Sequence, residues 1–421
     1  MDKKLIILLI ISVLLSPQYL FARYQVELTP SVSLEEQYDD NITLEPTNKQ
    51  SDWITTLSPS LNLGIVSQKN NFSINYTPSI VRYMHKASNK SYTIRHNGSF
   101  SFSESLSQHL GFDMSDTYIR SDDPIEQTEG IIGVRRTRKT YQRNDGRAGI
   151  SYSFGTGDSF LLGYRHRWLD NKDISLVNGT IFDPYANFTY WFNIKHGLEL
   201  STGYTKANFK RGGSTLTDND FSGFNQGVGY RYRINPSTTA SVDYGFTNRN
   251  FKGSSNDYKV HEASFGISHS LSEDMLYSFS AGYFGYKKDL RNDNGLIFGI
   301  SFTKRINRGS LNFSGTSGWN EAYLESEIRG FTKYQQLSSN FSYKVTEKLS
   351  SYASLSYRQD KDETGRKSKT IGVDYGWDWA FLRYYSMSLD YSISTRNDDL
   401  TTENYMVNRV NLTFKWSKPY R

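Results

Sequence analysis

The chain has 421 residues, 49 basic against 43 acidic side chains for a net charge of +6, no cysteine and a mean hydropathy of −0.61, yet it carries 31 Tyr, 25 Phe and 7 Trp. The absence of cysteine excludes disulfides, thiolate metal sites, iron–sulfur clusters, thioether-linked haem and cysteine nucleophiles; 15% aromatics argue against disorder, and so diffuse a charge gives no ground for a nucleic-acid partner. Several soluble domains or one large β-barrel remain.

Residues 1–22 open Met-Asp-Lys-Lys, continue through the apolar run Leu5 to Leu15 and close on Leu20-Phe21-Ala22. A basic start, an apolar core and a small final residue read as a secretory signal peptide, and the run is too short to cross a bilayer as a helix. Residues 23–421 then form one further domain, in which no stretch is apolar enough for a membrane helix.

From Arg23 onward the apolar period is two, the mark of strands with two unlike faces. Phe72, Ile74, Tyr76 and Ile80 alternate with Asn71, Ser73, Asn75, Thr77 and Ser79. The same rhythm recurs at Ala148/Ile150/Tyr152/Phe154, Phe160/Leu162/Tyr164, Val228/Tyr230/Tyr232/Ile234, Ala240/Val242/Tyr244/Phe246, Tyr277/Phe279/Ala281/Tyr283 and Leu296/Phe298/Ile300/Phe302. Tight turns at 155–158, 235–237, 307–309 and 346–348 interleave with longer polar loops at 39–51, 121–138, 171–180, 210–218, 360–369 and 396–403.

Nine short turns and ten long loops predict twenty strands with both termini on the short-turn side; eighteen is the alternative count. A repeat of about twenty residues is too slow for a soluble sandwich, which repeats about every 8–12, and suits an all-β transmembrane up-and-down barrel with a wet lumen. Aromatics at Tyr190/Trp191/Phe192, Trp377/Trp379/Phe381 and Tyr384/Tyr385 fit a head-group belt. Strand pattern begins close to the cleavage point, so no plug domain is expected. The last strand carries Val410, Leu412, Phe414 and Trp416, which resembles the C-terminal signal read by the barrel-assembly machinery of Gram-negative bacteria, except that Ser417 to Arg421 follow the final aromatic.

Residues 30–64, PSVSLEEQYDDNITLEPTNKQSDWITTLSPSLNLG, resemble the opening of the β-barrel porin type 2 family of outer-membrane proteins. The matching features are a strand ending Tyr38-Asp39-Asp40-Asn41, a polar loop, and Ser51-Asp52-Trp53 leading into Leu57-Ser58-Pro59 and Leu61-Asn62-Leu63-Gly64. The resemblance implies an integral outer-membrane barrel, both termini periplasmic, found in some systems that export polysaccharide; it implies no catalytic residue.

Taking the aromatic and aliphatic positions as lipid-facing turns their alternating neighbours inward. The expected pore lining is Asp113, Arg143, Asp145, Arg147, Arg165, Arg167, Arg231, Arg233, Asp243, Arg249, Arg358, Asp374, Asp378, Asp390, Arg409 and Lys415. Arginine concentrates on the sixth, seventh and tenth strands and aspartate near the eighteenth and nineteenth, so opposed walls would set a transverse field with a slight preference for anions. Loop 121–138 is the candidate constriction. Most aromatics fall on the lipid face; Trp191 is an exception, alternating with Asn187, Thr189 and Asn193.

The histidines at 85, 96, 109, 166, 196, 261 and 269 have no metal-ligand spacing, and no serine and histidine pair is singled out for an outer-membrane hydrolase. The expectation is a non-enzymatic channel without cofactor or metal that passes hydrated polar solutes, with lipid, the assembly machinery and polysaccharide-export components as partners. The alternative is a non-conducting scaffold barrel of a surface-export complex.

Overall fold

The computed structural model describes residues 24–85, 92–124, 135–211, 214–215, 219–253, 257–288, 291–323 and 330–420; the predicted signal peptide lies outside them. Alternating sequence becomes strand throughout: β1 (Gln25–Asp39), β2 (Asp52–Val66), β3 (Asn70–Tyr83), β4 (Tyr92–Ser105), β5 (Leu110–Ser121), β6 (Tyr141–Ser153) and β7 (Ser159–Asn171). There follow β8 (Val177–Trp191), β9 (His196–Arg211), the two-residue β10 (Ser214–Thr215), β11 (Phe221–Asn235), β12 (Thr238–Phe251), β13 (Tyr258–Ser272) and β14 (Met275–Lys288). The last are β15 (Arg291–Ile306), β16 (Gly309–Ala322), β17 (Gly330–Lys344), β18 (Leu349–Asp362), β19 (Lys367–Leu382), β20 (Tyr385–Asp398) and β21 (Tyr405–Ser417).

Each long strand pairs antiparallel with its neighbours, β9 pairs with β11 past the stub β10, and β21 returns to β1 from Asp39↔Arg409 to Ser31↔Ser417. The result is a closed barrel of twenty long strands with both ends of the described chain on the short-turn side. Strands of 12–16 residues at about 3.3 Å per residue outrun a tilted path through an apolar band of about 25 Å, so their loop ends stand clear of it. Where the sequence suggested loops at 171–180 and 360–369, β8 already begins at Val177 and β18 runs on to Asp362.

Four of the short turns share one chemical device. Ser67, Ser107, Asn193 and Thr346 each turn a side-chain oxygen onto the backbone N–H groups two and three residues ahead, at 2.8–3.3 Å. Asx and Ser/Thr turns of this kind satisfy donors that a hairpin reversal would otherwise leave open.

Register fixes the faces. Leu28, Val32 and Leu34 on β1 oppose Leu63, Pro59 and Leu57 on β2, and side chains such as Leu34, Leu57, Ile80, Leu162, Val242 and Leu296 stand exposed on the outer wall. Three outward histidines meet cross-strand tyrosine hydroxyls, Tyr76 with His96 at 2.8 Å, Tyr244 with His261 at 2.7 Å, and Tyr230 with His196. An imidazole on an apolar wall would otherwise lose its hydrogen bonds.

The buried residues gather at the loop end of the barrel interior, not along its length. Inward positions there include apolar clusters: Ile54, Val81 and Tyr83 pack with Ile42 of loop 40–51, Tyr405 and Val407 with Leu44 of the same loop, and Ile181, Ala207, Phe209 and Phe221 with Tyr323 beyond β16. This corrects the expectation of a uniformly wet lumen. The strand ends that rise above the apolar band have no lipid to face, and bury their apolar side chains inward instead.

Candidate functional site: the charged lumen and its loop-end cap

Below this cap the interior is polar. Asp113, Arg143, Asp145, Arg147, Arg165 and Arg167 stand on the lumen side of β5 to β7, where Asp145 opposes Arg167 and Arg147 opposes Arg165 in register. Most are compensated locally. Arg165 Nε donates to Asp145 at 2.9 Å, Arg167 donates to Asp183 at 3.0 Å, and Arg147 lies 3.7 Å from the same Asp145. On the next wall Arg231 reaches Asp243 at 2.5 Å and Glu199 at 2.6 Å.

Arg233 instead stacks over the Trp191 ring at 3.5 Å. Trp191 opposes Gly197 and faces the lumen beside the short turns; a Cβ on Gly197 would come within 2.9 Å of the indole, so only glycine lets the ring lie flat there.

The opposite wall keeps its negative charge. Asp374 accepts from Ser354 at 2.8 Å and Asp390 from the Tyr352 hydroxyl at 2.6 Å, and Asp378 opposes Ser350 and Ser388. Their partners are hydroxyls, whereas Arg165, Arg167 and Arg231 hold carboxylates. Lys415 on β21 opposes Ser33 and Ser386. The field of two opposed walls expected from the sequence is therefore unequal: pairing removes most of the basic side, and the acidic side persists. Such part-exposed pairs add only about 0–1 kcal/mol each to the fold, so their main effect is on the lumen potential.

The remaining expected pore residues belong to the cap. Arg249 is 3% exposed, donates to Glu321 at 2.7 Å and lies over the Phe221 ring at 5.6 Å. Arg358 donates to Asp360 at 2.8 and 3.0 Å and to Gln336 at 3.0 Å. Arg409 donates to Asp39 at 2.7 Å, across the closing seam.

Loop 121–138 takes part through its described ends. Arg138 donates to the Ile42 carbonyl at 2.9 Å and to the Tyr83 hydroxyl at 2.8 Å, and Arg136 donates to the carbonyls of Thr402 and Asn404. The loop between β5 and β6 thus holds those before β2 and before β21, crossing over the intervening strands. Burial lowers the Arg135 guanidinium to about 10, while it donates to Asn171 at 3.0 Å and to the carbonyl of Thr137 at 2.7 Å.

The second part of the cap comes from the β16–β17 hairpin. Phe331 and Trp319 share their strand face with the outward Leu337 and Phe313, yet Phe331 stacks on Tyr286 at 4.0 Å and Trp319 Nε1 donates to Glu262 at 2.8 Å. Tyr258, Phe284 and Tyr286 all point inward from β13 and β14. The described end of the hairpin therefore lies inside the wall, and its Tyr323 ring reaches Phe221 at 4.5 Å. Glu199, Asp183, Glu262 and Glu321 were not singled out by sequence, because their partners become neighbours only through cross-strand register or across the lumen.

No protein-family model and no curated protein matches the chain. Among solved structures it is similar to the ferric-catecholate import receptor Fiu of E. coli K12 in its open form, at 10% identity and TM-score 0.55 over 94% of this chain and 82% of that one. The FrpB iron transporter of Neisseria meningitidis matches at 8% identity and TM-score 0.53 over 93% and 81%. The siderophore receptor PirA of Pseudomonas aeruginosa matches at 10% identity and TM-score 0.51 over 92% and 80%. At these identities the likeness is one of fold, a large closed antiparallel barrel of the kind found in Gram-negative outer membranes.

Proposed function

We propose that the chain is a channel of the outer membrane of a Gram-negative bacterium, inserted by the barrel-assembly machinery after loss of residues 1–22, with both termini periplasmic. It passes small hydrated polar solutes and performs no chemistry, and its place in the β-barrel porin type 2 family belongs to the same proposal. The observation that carries it is the inversion of polarity: aliphatic and aromatic side chains are exposed on the wall while ion-paired charges line the interior. Nothing in the lumen selects a polysaccharide as the solute.

With Arg165, Arg167 and Arg231 paired, Asp374, Asp378 and Asp390 set a weak preference for cations. The cap favours a second reading, a barrel that stays closed and serves as a scaffold. Planar-bilayer recording separates the two. A channel conducts in the wild type, its reversal potential in a KCl gradient moves toward the anion side in Asp374→Asn/Asp378→Asn/Asp390→Asn, and its conductance rises in Arg136→Ala/Arg138→Ala. Silence of both the wild type and the cap variant overturns the channel and leaves the scaffold.

A further inference from the structure

The wall is unzipped along one seam. β15 pairs with β14 at fourteen positions and β16 with β17 at fourteen, but β15 and β16 pair with each other at only nine, from Ile306↔Gly309 beside the short turn to Phe298↔Ser317 at mid-wall. Above Phe298 the described pairing of β15 is to β14 alone and that of β16 to β17 alone, because the described end of the β16–β17 hairpin lies in the lumen. The parted edges leave a cavity of about 630 Å³.

Its sides are the outward Leu296, Phe298, Leu337 and Tyr357, and its inner end is Phe284. Leu296 is 72% exposed. A Cβ on Gly295 would lie 2.6 Å from the Phe284 ring, so glycine lets that ring lie across the slit and close it from within. Two contacts bridge the gap: Lys333 Nζ donates to Asp293 at 2.7 Å and to the Asn294 carbonyl at 3.2 Å, and Ser317 Oγ donates to the Leu296 carbonyl at 3.3 Å.

Above the apolar sides, on the outer face of β18 and β19, register aligns Lys361 with Lys367 and sets Lys369 opposite Gln359, while Lys333 beside them is taken up by Asp293. Three lysines thus cap an apolar slot at the loop end of the wall. An apolar slot beneath a cluster of cations is complementary to an acyl chain beneath an anionic head group, and lysines at a membrane surface attract such head groups.

We propose that this recess binds one anionic membrane lipid, with an acyl chain between Leu296 and Leu337 ending against Phe284 and the head-group phosphate on Lys361 and Lys369. The proposal rests on the reading of the outer wall as lipid-facing. The test uses the whole purified barrel with phosphatidylglycerol and phosphatidylcholine as probes. Flotation with phosphatidylcholine vesicles checks the wall first, and failure to float overturns that reading itself. Native mass spectrometry of the detergent-solubilised protein then counts retained lipid. One phosphatidylglycerol is expected to be kept in preference to phosphatidylcholine. Leu296→Trp, which fills the slot, is expected to abolish retention, while Leu162→Trp, elsewhere on the wall, leaves it unchanged. Lys361→Gln/Lys369→Gln should lower retention by roughly thirtyfold, as for removal of two surface cations facing an anionic lipid. A protein that floats but holds both lipids equally, or that keeps phosphatidylglycerol after Leu296→Trp, overturns the lipid site and leaves the barrel reading intact.

Discussion

Asp398 ties two arginines and a backbone N–H together at the loop end. Arg366 donates to its two oxygens at 2.7 and 2.9 Å, Arg396 donates at 2.5 Å, and the Leu400 N–H donates at 2.9 Å, with Arg396 and Asp398 exposed by only 2% and 4%. Removing the carboxylate takes from two largely buried guanidinium groups the charge that both hold. Asp398→Ala should therefore cost about 3–5 kcal/mol, read from guanidinium unfolding in detergent; a loss under about 1 kcal/mol would contradict the network. A titration marks the neighbouring loop. Burial works against the charge of Asp173, but hydrogen bonds from Ser175, Thr137 and Lys139 outweigh it and hold the carboxyl down at about 2. A carboxyl lowered on folding stabilises the fold above its unfolded value of about 3.9 and loses that effect as pH falls. The melting temperatures of wild type and Asp173→Asn should then differ at pH 5 and converge near pH 2. The inward direction of Asp145, Arg165, Arg231 and Asp390 follows from alternation alone; which carboxylate each arginine takes does not, because it depends on register between strands.

At the scale of elements, alternation places the strands well where one face meets lipid and the other the lumen, and poorly where both faces are wet. The ends of β8 and β18 read as loops because Asn178, Asp360 and Asp362 lie beyond the apolar band, where pairing persists without an apolar face. The β16–β17 tip is a different case. Trp319 and Phe331 keep perfect alternation with their strands, and the sequence assigns them outward; only packing against Tyr286 and Glu262 turns that face inward. The short turns are the most local elements, and four of them are capped by one oxygen each. Replacing Ser67, Ser107, Asn193 and Thr346 by alanine removes caps in four separate hairpins, each worth about 0.5–1.5 kcal/mol, and distant sites add. The quadruple variant should lose roughly 2–6 kcal/mol in equilibrium unfolding, with native strand content retained by circular dichroism. A loss no larger than that of one single variant would mean that barrel closure, not the turns, fixes the reversals.

Across the whole molecule, the period of two predicts the twenty-strand closure because every strand obeys it at mid-wall, but it hides the cap, since inward apolar residues such as Val81, Phe209 and Val260 occupy the polar parity of their strands only near the loops. The closing seam shows what alternation cannot carry at all. Five residues follow Trp416, where the resemblance to an assembly signal leads one to expect the chain to stop on the aromatic. The structure gives that tail a use: the Lys418 N–H donates to the Pro30 carbonyl at 3.2 Å, and Tyr420 and Leu28 exchange two backbone hydrogen bonds at 2.8 and 2.9 Å. The tail thus extends the β1–β21 pairing past Ser31↔Ser417, toward the start of β1. A barrel has no free edge only while this seam holds, so its last hydrogen bonds resist opening of the whole sheet. Truncation after Ser417 removes three of them, worth roughly 1.5–4.5 kcal/mol together, and brings Trp416 close to the end of the chain, where the assembly signal is expected. The truncated protein should therefore still assemble, shown by its heat-modifiable band on gels, and unfold at a lower temperature than the wild type. Equal melting would mean that Arg409–Asp39 and the nine pairs above already close the seam; failure to assemble would place the signal in the tail and not in Val410, Leu412, Phe414 and Trp416.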